Sequence, residues 1–225
     1  MPETVGATML QAATLLDDRA MVRNDPMMLR MYINEAQREI ARRSECLRAK
    51  TVLPIPAAQS HTINLPVIRI SEIYWSGSTE GRKIPLVFRD HRANRAVWGS
   101  GRDTAQGTPE IYWTEGFPPA LTVNLFPAPT RTGNLEIHYY RHAADHALDG
   151  LDDDQYLDLP QGWGDAITPF VLMRAYESQR KYETADNYRR EFETRLVGLI
   201  EASTRFVDEP GSVMMDDWYD IFTEW

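Results

Sequence analysis

Three histidines and a run of carboxylates between residues 138 and 158 form the densest chemistry-bearing cluster in the chain. His138, His142 and His146 are spaced by four, with Asp145, Asp149 and Asp152 to Asp154 close by. On a helix that spacing would stack the imidazoles on one face, which a transition metal could use. His138, however, lies in EIHYY, a run of strand character in which it faces opposite to Tyr139, away from the buried side. The sequence therefore favours a solvated linker and no metal. DGLDDD at 149–154 also lacks the spacing of a calcium-binding loop, and a weak cation site there stays open as an alternative.

Paired carboxylates for sugar hydrolysis could be drawn from Glu110, Glu115 and Glu136. Carboxylates on the wet face of a sheet are common enough to make that the second choice. Trp75, Trp98 and Trp113 suggest either a carbohydrate platform or, more simply, packing. The phosphate-binding loop, the dinucleotide fingerprint and the nucleophile elbow are all missing from the sequence. A single cysteine, Cys46, can build neither a thiolate zinc site nor an intrachain disulfide, and it reads as core within a helical pattern. The expectation is a protein without catalysis and without a cofactor.

Two further groups point to binding. Arg30, Arg38, Arg42, Arg43 and Arg48 mark one side of an early helix, where they suit an acidic neighbour, with the first four as inter-subunit candidates. At the other end, GSVMMDDWYDIFTEW places Met215, Trp218, Tyr219, Phe222 and Trp225 at steps of three and four, with Asp216, Asp217, Asp220 and Glu224 between them. Pro210, Gly211 and Ser212 precede it as a joint. An apolar stripe on such a joint calls for a partner, and the expectation is docking in another molecule rather than fold-back.

A chain of 225 residues, 43% hydrophobic and 25% charged, can bury a real core. Its net charge of -9 is unevenly placed. Residues 1–50 carry 8 Lys and Arg against 7 Asp and Glu, residues 51–144 carry 9 against 7, and residues 145–225 carry 7 against 19. That balance argues against a protein that grips nucleic acid, though not against a surface past which DNA slides. No segment approaches the roughly 18 apolar residues of a membrane span. A soluble intracellular product is expected.

The elements that must position these groups follow from periodicity. Helices are expected over 6–22 and, with Asp25 as cap and Pro26 in the first turn, over 26–48. Seven short strands follow at 51–56, 61–66, 67–75, 83–88, 109–116, 120–129 and 134–141, with a long loop from Arg89 to Gln106. Val123, Leu125, Leu135, Ile137 and Tyr139 alternate with polar neighbours, so the last two strands are expected to pair as a hairpin. Helical spacing returns near Ile167 and again from Tyr182 to Phe206. The fold class expected is α+β. A helical bundle from residues 1–50 and 157–207 carries an inserted antiparallel sandwich or open barrel at 51–141. An acidic linker at 142–156 and a docking tail at 208–225 complete the chain.

This arrangement resembles the head–tail adaptor (connector, or head-completion) proteins of tailed bacteriophages. The resemblance rests on INEAQREIARRSECLR at 33–48 running straight into a strand, and on HTINLP at 61–66 leading into VIRISEIYW. It rests also on GTPEIYWTEG with LTVNLFPAPTRTGNLEIHYYR between 107 and 141, and on the helical stretch from LDLPQGWGD to EFETRL at 157–196. It implies a structural virion protein at the neck, made in the host cytoplasm and forming a homo-oligomeric, commonly dodecameric, ring. It implies the portal protein on one side, tail or nozzle proteins on the other, and DNA passing through the channel without specific binding. Trp218, Phe222 and Trp225 would then be the docking anchors. The competing readings are a phage-associated hydrolase and a carbohydrate-binding tail protein.

Overall fold

The computed structural model describes residues 4–18, 21, 24–77, 82–90, 105–118 and 120–208, with side chains up to residue 203. The chain divides into two compact units, Met1–Ser44 with Ala144–Trp225, and Glu45–Ala143.

In the first unit, α1 spans Val5–Leu15 and starts where the Thr4 hydroxyl accepts a hydrogen bond from the Ala7 amide. It ends earlier than the expected residue 22, because Asp17 takes a left-handed φ of 53°. The turn beyond is closed by the buried Asp18 carboxylate, which accepts from the Asn24 amide and side chain at 2.7 and 3.0 Å. Helix α2 spans Pro26–Ser44, with the Asp25 side chain accepting from the Met27 amide. Its buried stripe is Leu29, Ile33, Ala36 and Ile40. The expected end at residue 48 is too late: Glu45 is left-handed at φ 51° and breaks the helix, so Cys46 lies outside it and is only half-buried.

A short 3-10 turn at Gly164–Ala166 leads into α3, Ile167–Ser178, and α4 spans Tyr182–Asp208. Pro169 falls in the first turn of α3, where its missing N–H costs nothing. Helix α3 packs against α1, α2 and α4. Its Phe170 meets Phe192 of α4 edge to face at 5.2 Å between ring centres. On α4, Ala185, Phe192 and Leu196 are buried, whereas Tyr182, expected in the stripe, is exposed.

The second unit is built from ten strands among the described residues. They are β1 Arg48–Ile55, β2 Ser60–Asn64, β3 Val67–Gly77, β4 Ile84–Pro85, β5 Val87–Phe88, β6 Gln106–Gly107, β7 Ile111–Phe117, β8 Ala120–Phe126, β9 Ala128–Pro129 and β10 Gly133–Arg141. One sheet has the order β1-β10-β3-β4, another β2-β8-β7-β5, and β6 pairs with β9. The two larger sheets share one core, in which Ile73, Leu135 and Ile137 of the first lie with Tyr112, Val123 and Leu125 of the second. The expected hairpin between 120–129 and 134–141 does not form. β8 pairs with β7 and β2, while β10 pairs with β1 and β3. The chain crosses from one sheet to the other between them. The unit is also not purely antiparallel, since β5–β7 and β6–β9 are parallel pairs. The expected loop from Arg89 to Gln106 falls largely outside the described residues.

Candidate functional site

One face of α2 is stitched to the acidic stretch that follows the β unit. Arg30 makes a bidentate pair with Asp153, Nε to Oδ1 and Nη2 to Oδ2 both at 2.7 Å, and also donates to the Leu148 carbonyl. One turn on, Asn34 donates to the His146 carbonyl at 2.8 Å and accepts from its amide at 3.0 Å. Gln37, fully buried, accepts from the Asp158 amide at 2.7 Å, and Arg38 reaches Asp145 at 3.3 Å. Positions 30, 34, 37 and 38 share one side of a helix, so α2 holds the stretch along its length. The Arg30 guanidinium holds the Asp153 carboxyl below the usual carboxylate range, and the pair raises Arg30 in turn.

The other carboxylates serve the backbone. Asp152 accepts from the Ala147 amide at 2.6 Å and from Gln155, Asp149 accepts from the Leu151 amide, and Asp158 accepts from the Ala144 amide at 2.6 Å. An irregular segment has amides with no ladder to join, and side-chain carboxylates satisfy them. Gly150 takes φ 91° where the stretch bends round Arg30. A Cβ there would sit 2.8 Å from Arg30 Nη2. The stretch read as a solvated linker is thus an ordered strap on the helical unit.

The three histidines are not brought together. His138 belongs to the β unit, on the opposite side of β10 from the buried Tyr139, and bonds Glu136 at 2.9 Å. Lys83 at 2.7 Å and then His138 hold the Glu136 carboxyl below its ordinary range. His142 is half-buried, and His146 is buried in the strap. Among the described residues no group of three or more His, Cys, Asp or Glu is placed to hold a metal ion.

The carboxylates considered for hydrolysis are divided as well. Glu115 lies on β7 and accepts from Trp113 Nε1 at 3.0 Å, Glu110 is exposed just before β7, and Glu136 is on β10 in the other sheet. Trp75 and Trp113 are buried, so neither offers a flat face to a sugar, and Trp98 lies outside the described residues.

The inter-subunit arginines find acid within their own chain. Arg30 pairs with Asp153, Arg38 with Asp145, Arg42 with Glu39, and Arg43 with Glu193 of α4 through two 2.7 Å bonds. Arg38 and Arg42 keep 48% and 58% of their side-chain surface exposed, whereas Arg30 keeps 11%. The docking residues Met215, Trp218, Tyr219, Phe222 and Trp225 lie outside the described residues.

Two features went unnoticed in the sequence. Asn34 and Gln37 look like ordinary helix-surface residues, and only a partner segment reveals their use. Met27, Met28 and Met31 are exposed on α2, outside the buried stripe of Leu29 and Ile33. Their spacing, one turn with one adjacent position, was readable as a second apolar face.

The sequence profile of the SU10 adaptor protein family matches residues 4–213. A search of the curated proteins finds no match. The profile spans both units, including the α2-to-β1 junction, the two sheets and the strap, so the chain belongs to the SU10 adaptor protein family and is a phage head–tail adaptor.

Proposed function

We propose that this adaptor is a structural virion protein that assembles into a ring at the neck, joins the portal to the tail and continues the DNA exit channel. The observation that carries the reading is the family match over residues 4–213. Its charge distribution supports it. The helical unit holds 13 Lys and Arg against 25 Asp and Glu, a net of -12, and the β unit holds 11 against 8, a net of +3. A ring repeats one heterologous contact, a surface of each copy meeting a different surface of the next. Oppositely charged units supply such surfaces and fix orientation more than affinity. The acidic excess would also keep DNA from adhering to a channel wall.

Within this assembly the helical unit is a bundle that carries the inserted β unit. Arg38 and Arg42, the more exposed of the four arginines, are the ones available to a neighbouring copy, and Arg30 and Arg43 fix the unit's own packing. The apolar residues Met215, Trp218, Tyr219, Phe222 and Trp225 dock in a groove of another molecule, as amphipathic segments do. Light scattering of the purified protein, alone and with the portal protein of the same phage, tests the reading. A ring-sized particle in either sample is the expected result. A single chain in both samples would overturn it.

A further inference from the structure

We propose that the methionine face of α2 is the seat for the aromatic segment, residues 215–225, of a neighbouring copy. The inference rests on the ring reading and names the acceptor for its docking segment.

Met27, Met28 and Met31 are 52%, 38% and 43% exposed on the first turns of α2. The strap that clasps Arg30 brings Leu148 and Leu151, the latter 82% exposed, to the same end of the helix. Flexible thioethers form an adaptable apolar surface, and sulfur packs favourably against aromatic rings. Trp218, Tyr219, Phe222 and Trp225 supply such rings. Charge agrees in sense: Arg38 and Arg42 continue the exposed side of α2 beyond the methionines, and Asp216, Asp217, Asp220 and Glu224 interleave with the rings.

Geometry says that the occupant comes from another copy. Gln179, just after α3, bonds Asn24, just before α2, and Arg174 of α3 meets Glu35 of α2. Arg195 of α4 donates to the Asp165 carbonyl before α3, and Arg189 of α4 meets Glu177 near the end of α3. Helix α3 therefore runs against both, and α2 and α4 run the same way. The Arg43–Glu193 pair marks a common level on them. From Glu193 to Asp208, α4 advances about 22 Å, while from Arg43 back to Met31 and Met27 the distance is about 18–24 Å in the opposite sense. The end of α4 thus lies roughly 40 Å from its own methionine face along the helices. A fully extended chain from Asp208 reaches at most about 25 Å by Met215 and about 35 Å by Trp218. At full extension Phe222 and Trp225, about 50 and 60 Å out, could touch that face, but Met215 and Trp218 could not. The segment therefore cannot seat as a whole at home, whereas the same face on a neighbour carries no such restriction.

The test uses two full-length proteins of different tag size, both with Cys46→Ala. One carries Met31→Cys and the other Phe222→Cys. Mixed at ring-forming concentration and oxidised, they should give a heterodimer band at least fivefold stronger than Phe222→Cys mixed with Val52→Cys, an exposed control on the β unit. A band no stronger than that control overturns the inference, as does a chain carrying both cysteines that closes as an internally bridged monomer. Mass measurement of the same samples before oxidation separates the two readings. Rings without the Met31–Phe222 cross-link sink this inference alone, and the absence of rings with or without portal sinks the adaptor assembly as well.

Discussion

A carboxylate in an irregular segment can face solvent, a cation or the backbone, and Asp152 and Asp158 take the third course. Asp153 takes a further one, closing on the guanidinium of Arg30, a side chain only 11% exposed. Removing one partner of such a pair leaves the other poorly solvated, so Asp153→Asn should lower the unfolding free energy by about 1–3 kcal/mol near neutral pH. The pH dependence has a definite sign. Arg30 depresses the folded-state carboxyl, whereas an unfolded aspartate titrates near about 3.9. The pair's contribution is therefore complete above that value and is lost as pH falls through the lower folded value. Denaturant titrations of wild type and variant should differ at neutral pH and converge in acid. A gap that stays constant into acid would deny the pair its role. The sequence displayed these aspartates but not their partners: Arg30 lies 123 positions away, and residue spacing carries no information about a contact of that range.

At the level of elements, the alternation in residues 120–126 and 133–141 identified the buried faces correctly. Val123, Leu125, Leu135 and Ile137 are all fully buried. It could not identify partners, because a period of two is the same whichever strand lies alongside. The close approach of β10 to β3 depends on Gly133, where β10 begins. A Cβ there would overlap the Trp75 ring and lie 2.6 Å from the Ser76 carbonyl oxygen, so both the ring and the local backbone of β3 or β10 must move. Gly133→Ala should therefore destabilise the β unit by about 1–3 kcal/mol, as overpacking does. The transition should move in tryptophan fluorescence, to which the buried Trp75 contributes. An unchanged transition would mean that β3 and β10 yield without cost. The ends of α1 and α2 were misplaced for a related reason: Asp17 and Glu45 adopt left-handed backbone, and neither is the glycine that usually signals it.

For the whole molecule, what matters is which parts are spent on folding and which are left for assembly. Along α4 the buried anchors are Ala185, Phe192 and Leu196, and Leu199 and Ile200 are only half-buried. Among the described side chains of α4 the fully buried contacts therefore end at Leu196, and Phe206, expected in the same stripe, lies outside the described side chains. Much of the fold was legible because core faces repeat locally. The docking surfaces were less so, because an exposed Met27 or Met31 differs from a buried Leu29 only in what the rest of the chain covers. Deleting residues 212–225 separates the two roles. The truncated protein should stay soluble, with an unfolding midpoint within about 2 °C of the full chain, since a change of 1 kcal/mol moves a domain of this size by roughly 2–4 °C. It should at the same time lose self-association in light scattering. If it precipitates or melts well below the full chain, those aromatic rings belong to the protein's own core. If it assembles undiminished, the contacts that close the ring lie elsewhere on the two units.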